Sequence, residues 1–124
     1  MAKYVELVIG GSVGTVSRYL LGGFVYGVLG TSFPYGTLVI NLLGCLIIGF
    51  LSTMAEEKFL LGSNVRVMLM IGFCGAFTTF STLILETNNL VRDGEMMRAF
   101  TNITVSVIAG LILFRIGIMV AEII

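Results

Sequence analysis

The densest set of groups able to bind an ion lies in the run GAFTTFSTLILE, Gly75 to Glu86. Thr78, Thr79, Ser81 and Thr82 supply four hydroxyls in five positions, Phe80 stands among them, and the first charge is Glu86. At helical spacing Thr78, Ser81 and Thr82 share a face, with Glu86 one turn beyond Thr82. Asn41 is a second singular residue, set in the apolar run YGTLVINLLGC on a face with Thr37 and Cys45. Taken singly these groups have ordinary uses. Serine and threonine bond back to their own helix carbonyls, and a lone membrane asparagine makes an interhelical bond worth ~0.6 kcal/mol. Together, hydroxyls, an amide and the electropositive edge of a ring form a donor-rich lining without a fixed cation. Such a lining suits a small, hard, strongly hydrogen-bonding anion held weakly enough to leave.

The elements that position these groups read as membrane spans. Four segments reach the ~20 apolar residues a spanning helix needs: Tyr4 to Leu29, Tyr35 to about Met54, Arg66 to about Val91, and Met97 to Ile124. The connectors are short, and the chain reads as one membrane domain over residues 1–124. Two glycines and clustered β-branched threonines ahead of Phe80 weaken the third helix, which predicts a break near residues 75–80. A break at membrane depth is tolerated only where it is buried in protein or lines a cavity. The carbonyls it frees suit a hard cation such as Na⁺. Gly10, Gly14, Arg18 and Gly22 recur every fourth residue on the first helix, a small-residue face that permits close packing within or between subunits.

Composition excludes most other classes. With 57% hydrophobic and only 11% charged residues, the chain cannot cover a water-facing surface. The first span is too long for a secretory h-region and reads as a retained helix. Seven basic and seven acidic residues leave no basic tail, so nucleic acid is not an expected partner. Histidine is absent, and Cys45 and Cys74 lack metal-ligand spacing. No phosphate-loop or nucleophile-elbow motif occurs, so an enzyme is not expected. If the amino terminus is cytoplasmic, Lys3, Lys58 and Arg66 lie inside, against Arg92 and Arg98 outside. Three against two is almost no positive-inside bias, and a chain without a preferred orientation can insert both ways.

Arg18 has two readings. A charge at a helix centre costs roughly 2.5–3.5 kcal/mol on insertion scales and faces protein or water. It either lines an electropositive vestibule that gathers anions or pairs with Glu86 or another helix's carbonyls. Glu86 either lines the polar track or neutralises Arg18.

GTLVINLLG with Asn41, GFCGAFTTFSTLILE and the opening GGSVGTVSRYLLGG together resemble the Fluc (CrcB) family of fluoride ion channels, in motif order and over nearly the whole chain. The four spans already make this an all-α integral membrane protein, multi-pass, and so compact a chain suits the plasma (inner) membrane of a bacterium or archaeon. The resemblance implies four helices per subunit and an antiparallel, dual-topology homodimer in membrane lipid, with two pores that export cytoplasmic fluoride passively. Asn41 and Phe80 match the family's pore-lining residues, and Ser81 and Thr82 its polar track. Thr79, Glu86 and Arg18 complete the candidate fluoride pathway. A structural sodium ion is implied at the backbone carbonyls of Gly75 and Thr78. Where many members carry a second phenylalanine, this chain has Leu83. Where many carry a tyrosine and two serines in the fourth helix, it has TNITVSVIAG, with Thr104 and Ser106 as candidates.

Two other classes of membrane protein share part of this pattern. A small multidrug-resistance-type proton-coupled transporter is equally short, but resembles a mechanism needing an embedded glutamate in the first helix, where this chain has only Glu6 near the start. An assembly subunit of a larger membrane complex leaves the recurrence of amide, hydroxyl and ring unexplained.

Overall fold

The computed structural model describes Met1 to Ile124 as four membrane-length helical rods with no strand. The first is α1, Ala2–Leu29. It ends at Gly30, whose φ of 88° lies in the left-handed region that glycine adopts without strain. Pro34 then precedes α2, Tyr35–Glu56. The third rod is composite. It comprises α3, Ser63–Arg66, a π-helical stretch Val67–Cys74, α4, Gly75–Phe77, and α5, Phe80–Arg92. The fourth is α6, Met96–Ile123. The second and third rods run a turn or less beyond the spans expected from apolar length. Apolar length reports the membrane-embedded part, and a helix continues through flanking polar residues such as Glu56 and Ser63.

The rods pack through glycine. α2 lies most closely on α6, because a Cβ at Gly49 would fall on the Phe114 carbonyl and one at Gly117 on the Leu46 carbonyl. The α1 glycine face is used within the subunit. Gly10 sits against the Met68 carbonyl and Gly14 against that of Phe73, both in the π-helical stretch, while Gly22 meets Ile40 of α2. Lipid is as apolar as leucine, so close backbone approach, rather than exclusion of water, holds such helices together. Only 23 of 124 residues are buried. Most large apolar side chains of α1 and α6, among them Tyr19, Phe24, Phe100 and Leu111, face outward to lipid or another chain.

Apart from Arg18, Glu86 and Arg115, the charges gather near the rod ends. Arg66 pairs with Glu56 at 3.8 Å, and Arg98 pairs with Glu95 while donating to the Ser32 carbonyl. These are the only ion pairs.

Candidate ion pathway

The third rod breaks at Thr78 and Thr79, both in extended conformation (φ −90°, ψ 159° and φ −151°, ψ 120°). In a continuous α-helix the Thr79 N–H would donate to the Gly75 carbonyl. Here it donates instead to Asn41 Oδ1 at 2.8 Å, and Asn41 Nδ2 donates back to the Thr79 carbonyl at 3.0 Å. One side chain of α2 thus satisfies both backbone groups of the residue at the break, and the Gly75 carbonyl is left without its i+4 donor. On one side of the break Thr78 closes α4, its N–H and its hydroxyl both donating to the Cys74 carbonyl. On the other Thr79 caps α5: its Oγ1 accepts from the Thr82 N–H and donates to Thr82 Oγ1. The stripe of Thr78, Ser81 and Thr82 is therefore not continuous. Two extended residues reset the helical phase, and the Thr78 hydroxyl is spent on its own helix.

Two cavities meet the break. One, of 360 Å³, is lined by Asn41, Gly75, Thr78, Thr79, Phe80 and Leu83, with Gly44, Cys45, Ile48, Met70 and Cys74. The other, of 480 Å³, holds Arg18, Thr79 and Thr82 with Thr15, Tyr26 and Thr37. Thr79 borders both. Of the residues expected from the sequence, Asn41, Gly75, Thr78, Thr79 and Phe80 thus cluster in the first cavity, and Arg18, Thr79 and Thr82 in the second. Ser81 is exposed on the outer face and lines neither. Phe80 is 75% exposed in the single chain, an aromatic ring presented at membrane depth to whatever lies beside the break.

Glu86 does not neutralise Arg18. Its carboxylate accepts from the Tyr26 hydroxyl at 2.6 Å on Oε2 and from the Thr37 hydroxyl on Oε1. Arg18 forms no ion pair and remains half-buried in the wall of the second cavity. Of the two readings of Arg18, the pair with Glu86 is therefore not the one formed. Hydroxyl donors on α1 and α2 satisfy the carboxylate instead.

The family profile described as CrcB-like protein, Camphor Resistance (CrcB), matches residues 5–118. The chain belongs to the CrcB family. Curated CrcB relatives carry the name fluoride-specific ion channel FluC. The protein of Citrifermentans bemidjiense is 44% identical over 98% of both chains. That of Methylocella silvestris is 43% identical over 95% of this chain and 92% of its own, and that of Dehalococcoides mccartyi 42% over 94% and 90%. CrcB is a family of ion channels and not of enzymes, and its four helices of spanning length make this member a multi-pass membrane protein. With the match running nearly end to end, neither the multidrug-transporter reading nor the assembly-subunit reading is favoured.

The CrcB fold also uses polar residues that sequence reasoning passed over. Asn102 of α6 is 1% exposed and donates from Nδ2 to Thr87 Oγ1 at 2.9 Å, tying α6 to α5. Its Oδ1 and the Ser106 Oγ one turn on are buried without a protein partner. An asparagine inside the apolar run TNITVSVIAG carries the same signal as Asn41. Tyr26 offered no such signal, since a tyrosine near a span end is commonplace.

Proposed function

We propose that the chain is one subunit of a fluoride-selective channel that lets cytoplasmic fluoride leave the cell down its gradient. The observation that carries this reading is the third-span break held by Asn41, with donor-bearing cavities on both sides and no lysine or arginine in the cavity lined by Asn41 and Phe80. The relatives' shared name supplies the identity of the ion. Fluoride gives up hydration only where donors replace it. The Asn41 amide spends one N–H on Thr79 and keeps a second. Phe80 offers a ring edge. Thr79, Ser81 and Thr82 offer hydroxyls, and Arg18 raises the local anion concentration in its cavity without sitting in the narrowest part.

The exposed Phe80 and Ser81 need a neighbour to complete a lined path, and we assign that role to a second, antiparallel copy, giving two pores per homodimer. The weak Lys/Arg bias supports insertion in both orientations. Gly75 lies on an exposed, open flank, with nothing near the position a Cβ would take and its carbonyl released from helical bonding. Oxygen donors of this kind fit Na⁺, and with Thr78 they would hold it in the dimer. The ion would supply only positive charge and a crosslink between carbonyls. The membrane is the inner membrane of a bacterium or archaeon.

The deciding experiment is efflux of fluoride from liposomes containing purified protein, followed with an ion-selective electrode. Parent protein should empty the liposomes of fluoride while retaining chloride, and Phe80→Ile should nearly abolish the flux. Liposomes that retain fluoride with the parent chain present would overturn the proposal.

A further inference from the structure

Tyr26 has no part in the pathway proposed above, yet its position is closely determined. Its ring lies against Gly36 of α2, where any Cβ would overlap the ring carbons Cε2 and Cδ2. Packing therefore aims the hydroxyl, which donates to Glu86 Oε2 at 2.6 Å while Thr37 donates to the other carboxylate oxygen. Tyr26 also lines two cavities. One is the Arg18 and Thr82 cavity, which Thr37 shares; the other, of 400 Å³, is walled by Glu86, Asn89 and the turn at Ser32 and Pro34. The hydrogen-bonded trio of Tyr26, Thr37 and Glu86 thus stands where the inner cavity meets one that opens at the end of the rods.

A carboxylate at such a junction is a hazard to an anion pathway. It repels the anion, and it is attracted to the Arg18 guanidinium that the anion would use. We propose that Tyr26 is a positioning residue of the pathway: its hydroxyl holds the Glu86 carboxylate at the cavity junction and keeps it off Arg18 and Thr82. The inference rests on the fluoride-channel reading. It assigns to a residue of α1 a task that the sequence would leave to an Arg18–Glu86 pair.

Tyr26→Phe keeps the ring and removes only the hydroxyl. Fluoride efflux from liposomes should fall by about tenfold or more, the loss expected for removing a hydrogen bond to a charged group. In a Glu86→Gln background no charge is drawn to Arg18, so adding Tyr26→Phe should change flux by less than about twofold. If Glu86→Gln silences the channel, Thr37→Val takes its place in the cycle. Tyr26 and Thr37 hold the same carboxylate, so their combined effect should depart from the product of the single effects by more than about threefold. Tyr26→Phe conducting within about twofold of the parent overturns the assignment, as does an equal loss in both backgrounds or a simple product with Thr37→Val. A parent chain that conducts no fluoride overturns the channel reading and this assignment with it. A parent that conducts while the cycle shows no coupling overturns only the assignment.

Discussion

Replacing Asn41 with leucine tests whether one α2 side chain keeps the third span broken. Leucine is close to asparagine in size and shape but neither donates nor accepts. The change deletes the 2.8 Å bond from the Thr79 N–H and the 3.0 Å bond to its carbonyl. A buried group left without its partner costs roughly 1–3 kcal/mol, so the broken conformation loses about 2–6 kcal/mol. The whole chain should lose far less. In an unbroken helix the Thr79 N–H regains the Gly75 carbonyl, and membrane side-chain bonds average only ~0.6 kcal/mol because the alternative state also finds partners. Asn41→Leu should therefore fold, unfold about 1 kcal/mol more easily, and heal the break. Set against the roughly 1 kcal/mol lost by the whole chain, the lower figure of about 2 kcal/mol leaves the broken state about 1 kcal/mol above the healed one, about a fivefold loss of the broken state and of fluoride efflux, and the upper figure far more. Amide hydrogen exchange read by mass spectrometry should slow across residues 78–82 as Thr79 is drawn into a helix. Exchange at the parent rate, with efflux within twofold of the parent, would refute the idea that Asn41 maintains the break.

Gly44 lies beneath the same break, where a methyl group would overlap Thr78 Cγ2. Gly44→Ala should cost roughly 1–3 kcal/mol by overpacking and reduce efflux, both measurable on one preparation by unfolding in detergent and by liposome flux. Protein stripped of sodium and kept in a large organic cation should lose fluoride flux or dimer stability, read by efflux and by the migration of the dimer. Flux unchanged after verified sodium removal would count against carbonyl coordination at Gly75 and Thr78. Carboxy-terminal reporters active on opposite sides of the membrane should both give signal, and two lysines added near Pro34 should shift the balance towards cytoplasmic placement of that turn.

Much of this arrangement can be read from residue order because the membrane simplifies the problem. A span needs length and apolarity, and four runs have both. The break could be anticipated because glycine and clustered threonine disfavour a helix wherever they stand, and Asn41 because an amide in an apolar run must find partners. Periodicity misled where the helix is irregular. It placed Thr78 on a face with Ser81, although two extended residues lie between their helices. The Arg18–Glu86 pair failed for another reason: charge is conspicuous in a sequence, whereas the hydroxyls of Tyr26 and Thr37 that satisfy Glu86 look like routine surface or packing residues. The π-helical stretch was invisible because VMLMIGFC is apolar at every position but Gly72 and gives no period to count.

That swollen stretch has a consequence for how the chain tolerates insertion and deletion. A π turn holds more residues than an α turn, so removing one residue between Val67 and Cys74 would let the backbone relax into an ordinary α-helix rather than rupture. Each residue of an α-helix advances about 100° and about 1.5 Å. Because the wider turn already carries the additional residue, this deletion would leave Asn89 and everything else beyond it near the present angle against the Gly10 and Gly14 face of α1, with the Thr78–Thr79 break still facing Asn41. A one-residue insertion or deletion elsewhere in the rod has no such slack and would rotate everything beyond it by about 100°, turning the break away from Asn41. The Val67–Cys74 turns are therefore the one part of the third rod where chain length can change by a residue without re-aiming the break.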